Sequence, residues 1–306
     1  MANEQKTGTD ARGRRYTPFG AAIEAPRPEP GLYLVATPIG NLSDISLRAL
    51  EVLAGADVIA CEDTRVTRKL AERYGIETPL TPYHEHNATE ARPKLLARLA
   101  DGQAVALVSD AGTPLISDPG YKLVLAARAA GHPVTAIPGA SAVLAALAVA
   151  GLPTDRFFFE GFLPPKQVAR RKRIAALAAI PATLVFFESG PRLAAALADL
   201  AEGLGPRTGA ICRELTKLHE EVRRASLDEL AQTYADGAET RGEIVIVVAP
   251  PSEPETADAD IDALLRQALA RVSVKDAVGE VALTTGRPRR DVYRRALALT
   301  KDSGND

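Results

Sequence analysis

The chain has 306 residues, of which 46% are hydrophobic and 25% are charged, and its formal net charge is −2. A chain of this length and composition can bury a sizeable core in about two domains, which excludes disorder throughout. The charge excludes a uniformly basic nucleic-acid-binding protein, so any contact with nucleic acid must use local basic patches.

The two cysteines, Cys61 and Cys212, lie far apart and neither belongs to a CxxC pair. This spacing predicts neither a disulfide framework nor a thiolate zinc site. No apolar run reaches the roughly 18 to 20 residues that span a bilayer, and the N-terminus lacks the apolar segment of a signal peptide. We therefore expect a soluble, cytoplasmic protein.

Residues 1–30 are rich in Gly, Pro, Arg, Thr and Glu and have no apolar period, which predicts a disordered tail. From residue 31 to residue 138, short β-rich runs alternate with helical stretches whose apolar residues recur at i, i+3 and i+4. Such alternation predicts a first α/β lobe, built on a mostly parallel sheet that helices cover. Its strands are predicted at 31–36, 56–61, 104–109 and 133–137.

A second α/β lobe is predicted over residues 139–250, where 139–153 forms the joining helix and its exit. Its strands are predicted at 157–162, 183–187, 209–215 and 242–250, and its helices at 167–179, 191–204 and 226–236. Residues 251–306 begin with a Pro- and acid-rich linker and continue as a small helical tail of three short helices. The predicted fold is therefore two tandem α/β lobes followed by this tail.

Three loops rich in Gly and Pro follow predicted strands of the first lobe: PIGN (38–41), SDAGTPLISDPG (109–120) and PGAS (138–141). Any one such loop most often just makes a turn. Three of them at successive strand ends predict a ligand site, because loops at the carboxyl ends of parallel strands present free backbone N–H groups. The chain has neither GxxxxGK[ST] nor GxGxxG opening a helix, which disfavours a P-loop NTPase or a Rossmann dehydrogenase.

Between Gly31 and Pro250 the chain resembles the ribosomal RNA small subunit methyltransferase I family, of the tetrapyrrole methylase superfamily. The resemblance lies in GLYLVATPIGNLSDISLRALEVL, CEDTR, YHEHN, SDAGTPLISDPG, PGASA, GFLPPK, FFES and RELTKLHEE, which occur in this order and spacing. It implies a class III methyltransferase, usually a homodimer, that binds S-adenosyl-L-methionine between its lobes. The implied reaction is 2′-O-methylation of a cytidine in the decoding region of 16S rRNA in the small ribosomal subunit.

The resemblance implies a set of cofactor contacts in both lobes, namely Pro38, Ala111, Gly112, Thr113, Ile116, Ser141, Ala142, Glu188 and Leu215. The chain departs from the family pattern at Ala140, where proline is usual, and at Gly190 and Pro191, where proline and histidine are usual. A role given to that histidine cannot be carried over. Cys61 replaces a common alanine, which we interpret as a change in packing. None of these departures removes a predicted cofactor contact.

A ribose hydroxyl is a weak acid, so a general base would help the transfer of a methyl group to it. The candidates are Glu62 and Asp63, with His84, Glu85 and His86 of the YHEHN word; Arg65 is a candidate for binding a phosphate or orienting a carboxylate. Glu62 and Asp63 are the leading choices, although Asp63 is equally suited to capping the following helix. The HxH pair lacks HExxH spacing and a third ligand, so no metal is predicted.

The local basic patch that RNA binding requires is predicted in KQVARRKR (166–173). The candidate RNA-binding residues are Lys166, Arg170, Arg171, Lys172 and Arg173, with Lys217 and the run 287–295 as secondary candidates. A basic run of this length is also typical of a solvated helix face. Two other functions stay open: a tetrapyrrole methylase that acts on a porphyrinoid carbon, and a non-catalytic RNA-binding relative.

Overall fold

The computed structural model describes residues 13–235, 240–251 and 258–302. The chain divides into two compact units, Met1–Pro251 and Ser252–Asp306. Within the described ranges, no helix is long and apolar enough to cross a membrane. The first unit contains both predicted α/β lobes, and the second contains the predicted helical tail.

The described part of the N-terminal segment folds as an antiparallel pair of two short strands, β1 (Arg15–Tyr16) and β2 (Ile23–Glu24). Tyr16 is buried and packs in the core beneath them. The composition predicts disorder over residues 1–30; residues 1–12 lie outside the described residues, but residues 13–30 differ from that prediction. The composition of the segment does not reveal that one aromatic side chain, Tyr16, anchors it in the core.

The first lobe is a five-stranded sheet in the order β5-β4-β6-β3-β7, and every pairing in it is parallel. Strands β4 and β6 are buried along their whole length, as expected of a parallel sheet with helices on both faces. The prediction is confirmed for four strands, and β5 is an additional short edge strand in a proline-containing segment. The elements are β3 (Gly31–Val35), α1 (Leu47–Gly55), β4 (Val58–Cys61), α2 (Thr64–Tyr74), β5 (Leu80–Pro82), α3 (Ala88–Ala100), β6 (Ala104–Val108), α4 (Tyr121–Ala129) and β7 (Val134–Ile137).

A buried carboxylate, Asp57, ties the N-terminal segment to this lobe. It accepts hydrogen bonds from Arg14 Nη2 at 2.9 Å, from Arg27 Nη2 at 3.0 Å and from the Ala104 N–H at 2.8 Å. Burial by itself raises the pKa of Asp57, but these hydrogen bonds outweigh it and the net pKa is lowered. The polar N-terminal segment is therefore ordered where its arginines neutralise a buried acid.

The second lobe is also a five-stranded sheet, in the order β11-β10-β12-β9-β8, but it is mixed. Strands β8 and β9 are parallel, whereas the pairs β9–β12, β12–β10 and β10–β11 are antiparallel. Strand β11 was not predicted, because its sequence EVRRAS is polar and it lies at the sheet edge. The elements are α5 (Ala142–Val149), β8 (Phe157–Phe162), α6 (Gln167–Leu177), β9 (Thr183–Ser189), α7 (Gly190–Leu204), β10 (Thr208–Arg213), β11 (Glu221–Ser226), α8 (Leu227–Ala235) and β12 (Glu243–Val248).

The second unit consists of three helices, α9 (Asp258–Leu269), α10 (Val274–Thr285) and α11 (Arg289–Asp302). They enclose a small core of their own, formed by residues such as Leu265, Val281 and Ala296. Ser273 caps α10, and Gly286, at φ 68°, ends it in the left-handed conformation that glycine favours. The three predicted helices are confirmed, whereas most of the predicted linker lies outside the described residues.

We predict that Asp57→Asn destabilises the first unit by about 1–3 kcal/mol at pH 7, because two guanidinium groups lose their counter-charge. A carboxylate whose folded pKa is lowered contributes stability above its unfolded pKa of about 3.9, and loses it as the pH falls through the folded pKa. The wild type should therefore lose stability below pH ~4 more steeply than the variant. Urea unfolding across this pH range measures both effects.

The matched control is Glu77→Gln, which removes an ion pair with Arg15 at 3.7 Å whose two side chains are both more than half exposed. Such a pair contributes roughly 0–1 kcal/mol. Equal losses for the two variants would show that Asp57 is no anchor.

Candidate active site

The site is built where the three Gly- and Pro-rich loops leave β6, β3 and β7, which are consecutive strands that end at the β7 edge of the sheet. Thr37 and Gly112 exchange two backbone hydrogen bonds of 2.9 and 3.0 Å, which join the loop after β3 to the loop after β6. Thr113 Oγ1 donates to the Ala140 carbonyl at 3.3 Å and so joins the third loop. The loops converge as the sequence predicts.

Between these loops and the second lobe lies a cavity of about 280 Å³, which we call the interlobe cavity. Its lining is mainly apolar, with a few polar groups, as is usual for small-molecule sites. The lining residues are Ile39, Ala111, Gly112, Thr113, Ile116, Ser117, Asp118, Ser141, Ala142, Val143, Phe162, Phe187, Glu188, Ser189, Cys212, Leu215, Gly242, Glu243, Ile244 and Val245.

Of the nine residues that the resemblance implies as cofactor contacts, eight line the interlobe cavity. The exception is Pro38, which lines a smaller adjoining cavity. The sequence reasoning missed Asp118 and the aromatic wall of Phe162 and Phe187, whose ring centroids are 5.6 Å apart. Asp118 was within reach of sequence reasoning, since it belongs to the SDAGTPLISDPG loop itself.

The backbone is strained on both sides of the cavity. Leu115 and Ser117 have φ values of 75° and 66° in the first lobe, and Glu214 and Thr216 have values of 51° and 67° in the second. Non-glycine residues rarely adopt such angles, and strain of this kind concentrates at functional sites. It indicates that both loops are held in one fixed shape.

Lys217 joins the two lobes at the edge of the cavity. Its Nζ lies 2.8 Å from carboxylate oxygens of both Glu214 and Glu243. A Cβ at Gly40 would lie 2.4 Å from Lys217 Cγ, so only glycine permits this approach. Burial lowers the pKa of Lys217, but the two ion pairs outweigh it and raise the pKa. Lys217 is thus engaged in ion pairs within the protein, and its contact with RNA stays a prediction.

Glu188 presents an unsatisfied buried acceptor at the cavity. It is 3% exposed, and its Oε1 accepts from the Ser189 N–H at 2.8 Å and lies 3.3 Å from Arg192 Nε. Its Oε2 is buried without a hydrogen-bond partner in the described part of the chain. Leaving such an oxygen unpaired is costly, so it marks where a donor group of a ligand fits.

The departures from the family pattern do not disturb the cavity. A Cβ at Gly190 would lie only 1.7 Å from the Thr240 carbonyl oxygen, so the local chain path requires glycine there. The backbone carbonyl of Ala140 serves as the acceptor for Thr113. Cys61 is completely buried, in accord with a packing role.

Four carboxylates, which we call the acid cluster, lie after β4 and in the loop after β6: Glu62, Asp63, Asp110 and Asp118. Burial, and then Asp110, Asp118 and Asp63, raise the pKa of Glu62. Burial also raises the pKa values of Asp110 and Asp118. The Asp110 Oδ1 accepts from the Asp63 N–H at 3.0 Å, which connects the two loops.

Arg65 distinguishes Asp63 from the other members of the acid cluster. Its Nε and Nη2 lie 3.0 and 2.6 Å from the two Asp63 carboxylate oxygens, and these hydrogen bonds lower the pKa of Asp63 to about 2. Asp63 also caps α2 by accepting from the Arg65 N–H at 2.8 Å. Asp63 is therefore the weaker base, and the predicted cap is observed.

No residue of the YHEHN word is among the residues that line the two cavities. The rings of His84 and His86 are 6.1 Å apart, and Glu85 is exposed. Among the described residues, no group of three His, Cys, Asp or Glu side chains is placed to hold a metal ion. The Tyr83 N–H donates to the Cys61 carbonyl at 2.8 Å, so this word begins beside the strand end that carries Glu62.

Acidic side chains of the second lobe form ion pairs with most of the basic residues of α6. Arg170 is 5% exposed and its Nε lies 2.6 Å from Asp199 Oδ2, while Arg171 Nε lies 2.7 Å from Asp199 Oδ1. Arg173 forms two hydrogen bonds, of 2.6 and 2.7 Å, to Glu160. Arg170 is thus held inside the protein by Asp199, and its contact with RNA stays a prediction.

Comparison with known proteins defines the class to which this fold and site belong. Residues 31–231 match the family described as Tetrapyrrole (Corrin/Porphyrin) Methylases, and residues 255–300 match the RsmI C-terminal HTH domain. A solved diphthine synthase has a TM-score of 0.56 at 20% identity, over 71% of this chain and 89% of that chain. Uroporphyrin-III C-methyltransferase of Thermus thermophilus, solved with S-adenosyl homocysteine, has a TM-score of 0.50 at 22% identity, over 72% and 97%. These likenesses establish the tetrapyrrole methylase fold.

Curated relatives narrow this class further. The chain is 56% identical to the ribosomal RNA small subunit methyltransferase I of Mesorhizobium japonicum, over 90% of this chain and 94% of the relative. It is 46% identical to the protein of that name from Pseudomonas aeruginosa, over 87% and 96%. The chain belongs to the ribosomal RNA small subunit methyltransferase I family. S-adenosylmethionine is the cofactor of this methyltransferase family.

We predict that Gly112→Ala weakens cofactor binding by about tenfold or more. Gly112 has φ +76°, and an added Cβ would lie 3.3 Å from Ile39 Cγ2 in the cavity wall, so the change would both strain the loop and shift its lining. Isothermal titration calorimetry with S-adenosylhomocysteine measures the affinity.

Gly102→Ala is the matched control, because Gly102 has nearly the same φ of +72° but nothing within 4 Å of the added Cβ. Gly102→Ala should destabilise the protein to a similar extent and leave the affinity for S-adenosylhomocysteine unchanged. Equal affinity in the two variants would remove Gly112 from the cofactor site.

Proposed function

We propose that this enzyme transfers a methyl group from S-adenosylmethionine to the ribose 2′-hydroxyl of a cytidine in the decoding region of 16S rRNA. The observation that carries the proposal is the convergence of eight family-implied contacts on one interlobe cavity, in a chain whose relatives are named for small-subunit rRNA. We also propose that it acts in the cytoplasm as a homodimer; sedimentation velocity tests the dimer.

The residues of the interlobe cavity fit this cofactor. Ala111, Gly112 and Thr113 present the backbone of a rigid loop to the amino-acid and ribose parts, and the Glu188 Oε2 supplies an unused acceptor for an N–H or O–H group. Apolar side chains, including Phe162 and Leu215, cover the remaining surface and exclude water. The cofactor supplies a methyl group that its sulfonium already activates.

The work left to the protein is alignment of the 2′-oxygen and removal of its proton. When bound, the cofactor would supply the methyl group, its sulfur would keep the electron pair of the broken carbon–sulfur bond as the carbon–oxygen bond forms, and a carboxylate of this chain would accept the hydroxyl proton. We assign this carboxylate to Glu62, whose pKa is raised, rather than to Asp63, which Arg65 occupies.

The direct test is transfer of labelled methyl to small ribosomal subunits that lack native modifications, with naked rRNA and a porphyrinoid precursor in parallel. Recovery of 2′-O-methylcytidine supports the proposal. Label in the porphyrinoid would identify a tetrapyrrole methylase, and cofactor binding without any transfer would favour a non-catalytic RNA-binding relative.

We predict that Glu62→Gln lowers the rate of methyl transfer by roughly 10²- to 10⁴-fold without changing cofactor affinity, because the amide cannot accept the proton. The raised pKa of Glu62 means that the wild-type rate falls as the pH drops through that pKa, since the base becomes protonated. When single-turnover rates are plotted against pH, the wild type should show this fall at low pH, which we call the acidic limb, and the variant should not.

Asp63→Asn is the control, since it alters the neighbouring carboxylate that Arg65 already occupies. It should retain most of the rate and the acidic limb. A rate for Glu62→Gln equal to that of the wild type would transfer the role of base to another residue.

The basic groups that remain open to RNA differ from those that the sequence emphasises. Lys166, which immediately precedes α6, and Lys172 on α6 are exposed and have no ion pair in the part of the chain that the structure describes. In the second unit, Arg290 and Arg294 are exposed one turn apart on α11, and both lie within ion-pair distance of Asp291, at 3.8 and 2.9 Å. We propose these four side chains as phosphate contacts, since Lys and Arg supply the electrostatic part of RNA affinity.

We predict that the double change Lys166→Glu and Lys172→Glu weakens binding to small subunits and reduces the slope of log affinity against log salt by about 1.5, as expected when two phosphate contacts are lost. Filter binding at several salt concentrations measures both quantities. Lys94→Glu with Lys122→Glu makes the same charge change on α3 and α4. If this control pair weakens binding equally, the effect is one of net charge.

A further inference from the structure

A second cavity adjoins the interlobe cavity at the edge of the first lobe. Its volume is about 220 Å³, and it lies between the PIGN loop, the start of α2 and Lys217 of the second lobe. It shares Ile39, Ala111 and Glu243 with the interlobe cavity, so one wall separates the two. A group bound in one cavity is therefore a direct neighbour of a group bound in the other.

The wall between the cavities is fixed in place. Thr37 and Gly112 pair through their backbones on it, and the buried Thr37 Oγ1 donates to the Ser109 carbonyl at 3.2 Å. On the far side, the Asn41 N–H donates to Thr216 Oγ1 at 3.2 Å and holds the PIGN loop against the second lobe. Such a wall has little left to reorganise when a ligand binds.

The lining of this cavity combines an apolar surface with two carboxylates, of which Glu243 is paired with Lys217 Nζ at 2.8 Å and the other is Asp110. Leu42 and Val66 are among the large hydrophobic side chains that remain exposed, at 39% and 38%. Asp110 also lines the cavity, and it belongs to the same acid cluster as Glu62. An apolar surface suits the face of a base, and a carboxylate suits a hydroxyl donor.

We propose that this second cavity, the acceptor cavity, holds the single nucleoside that receives the methyl group, with its base against Leu42 and Val66 and its ribose facing the acid cluster, of which Asp110 lines the cavity. This inference rests on the proposed function. The volume of about 220 Å³ suits one nucleoside drawn out of an RNA strand.

Filling the cavity tests the assignment. In Val66→Trp a larger side chain occupies it from the exposed face of α2, and Leu125→Trp makes a matched change at an exposed position of α4 that lines neither cavity. We expect Val66→Trp to raise the KM for unmodified small subunits about tenfold and to leave the calorimetric Kd for S-adenosylhomocysteine unchanged. Leu125→Trp should leave both unchanged.

Two outcomes would overturn the proposal: wild-type KM and kcat in Val66→Trp, or a comparable loss of cofactor affinity, which would assign the cavity to the cofactor. The wild type is assayed first. If it places no methyl on ribose, the proposed function fails; if it does and Val66→Trp behaves as the wild type, the cavity assignment alone fails.

A second measurement does not depend on turnover. Because Cys61 and Cys212 are both completely buried, Val66→Cys carries one accessible thiol for maleimide labelling. Unmodified small subunits with S-adenosylhomocysteine should slow labelling of Cys at position 66 by about tenfold or more, whereas S-adenosylhomocysteine alone should not. Leu125→Cys, labelled in parallel, should be little protected. Equal protection at both positions would contradict occupation of the acceptor cavity.

Discussion

The two hydrogen bonds between Thr37 and Gly112 are the constraint on which the site depends. They join the loops that leave the adjacent strands β3 and β6 and form the wall shared by two cavities. The parallel sheet makes this possible, because it brings the carboxyl ends of its central strands to one edge. The opposite side of each cavity comes from the second lobe. The way in which the two lobes pack therefore determines the shape of the site.

Charge is distributed unevenly around this site. On α6, acids of neighbouring elements neutralise Arg170, Arg171 and Arg173, so that most of the charge of a basic sequence run is paired within the protein. At the strand ends the reverse holds: three carboxylates of the acid cluster have raised pKa values, and the nearby Arg65 is engaged by Asp63. Uncompensated, partly buried acids are costly, and they occur where a proton must be taken up.

At the boundary between the lobes, a strained backbone segment of the second lobe lies against a glycine of the first lobe. The left-handed conformations of Glu214 and Thr216 carry Lys217 towards Gly40, where the absence of a side chain admits it. The ion pairs of Lys217 with Glu214 and Glu243 then hold the second-lobe loop in its strained form. A site fixed in this way binds without first ordering its loops, which favours affinity and alignment.

The sequence by itself determined the central strands, most helices, the three converging loops and the family, because these depend on local periodicity, turn residues and long distinctive words. It identified eight of the residues that line the interlobe cavity, but not the aromatic wall of Phe162 and Phe187. The tertiary structure alone decided the order of residues 13–30, the edge strand β11, the antiparallel pairings of the second sheet, and the internal roles of Arg170 and Lys217. These features depend on partners distant in the chain or on packing between lobes, such as Asp57 for Arg14 and Asp199 for Arg170, and no local pattern specifies which distant acid a basic side chain will meet.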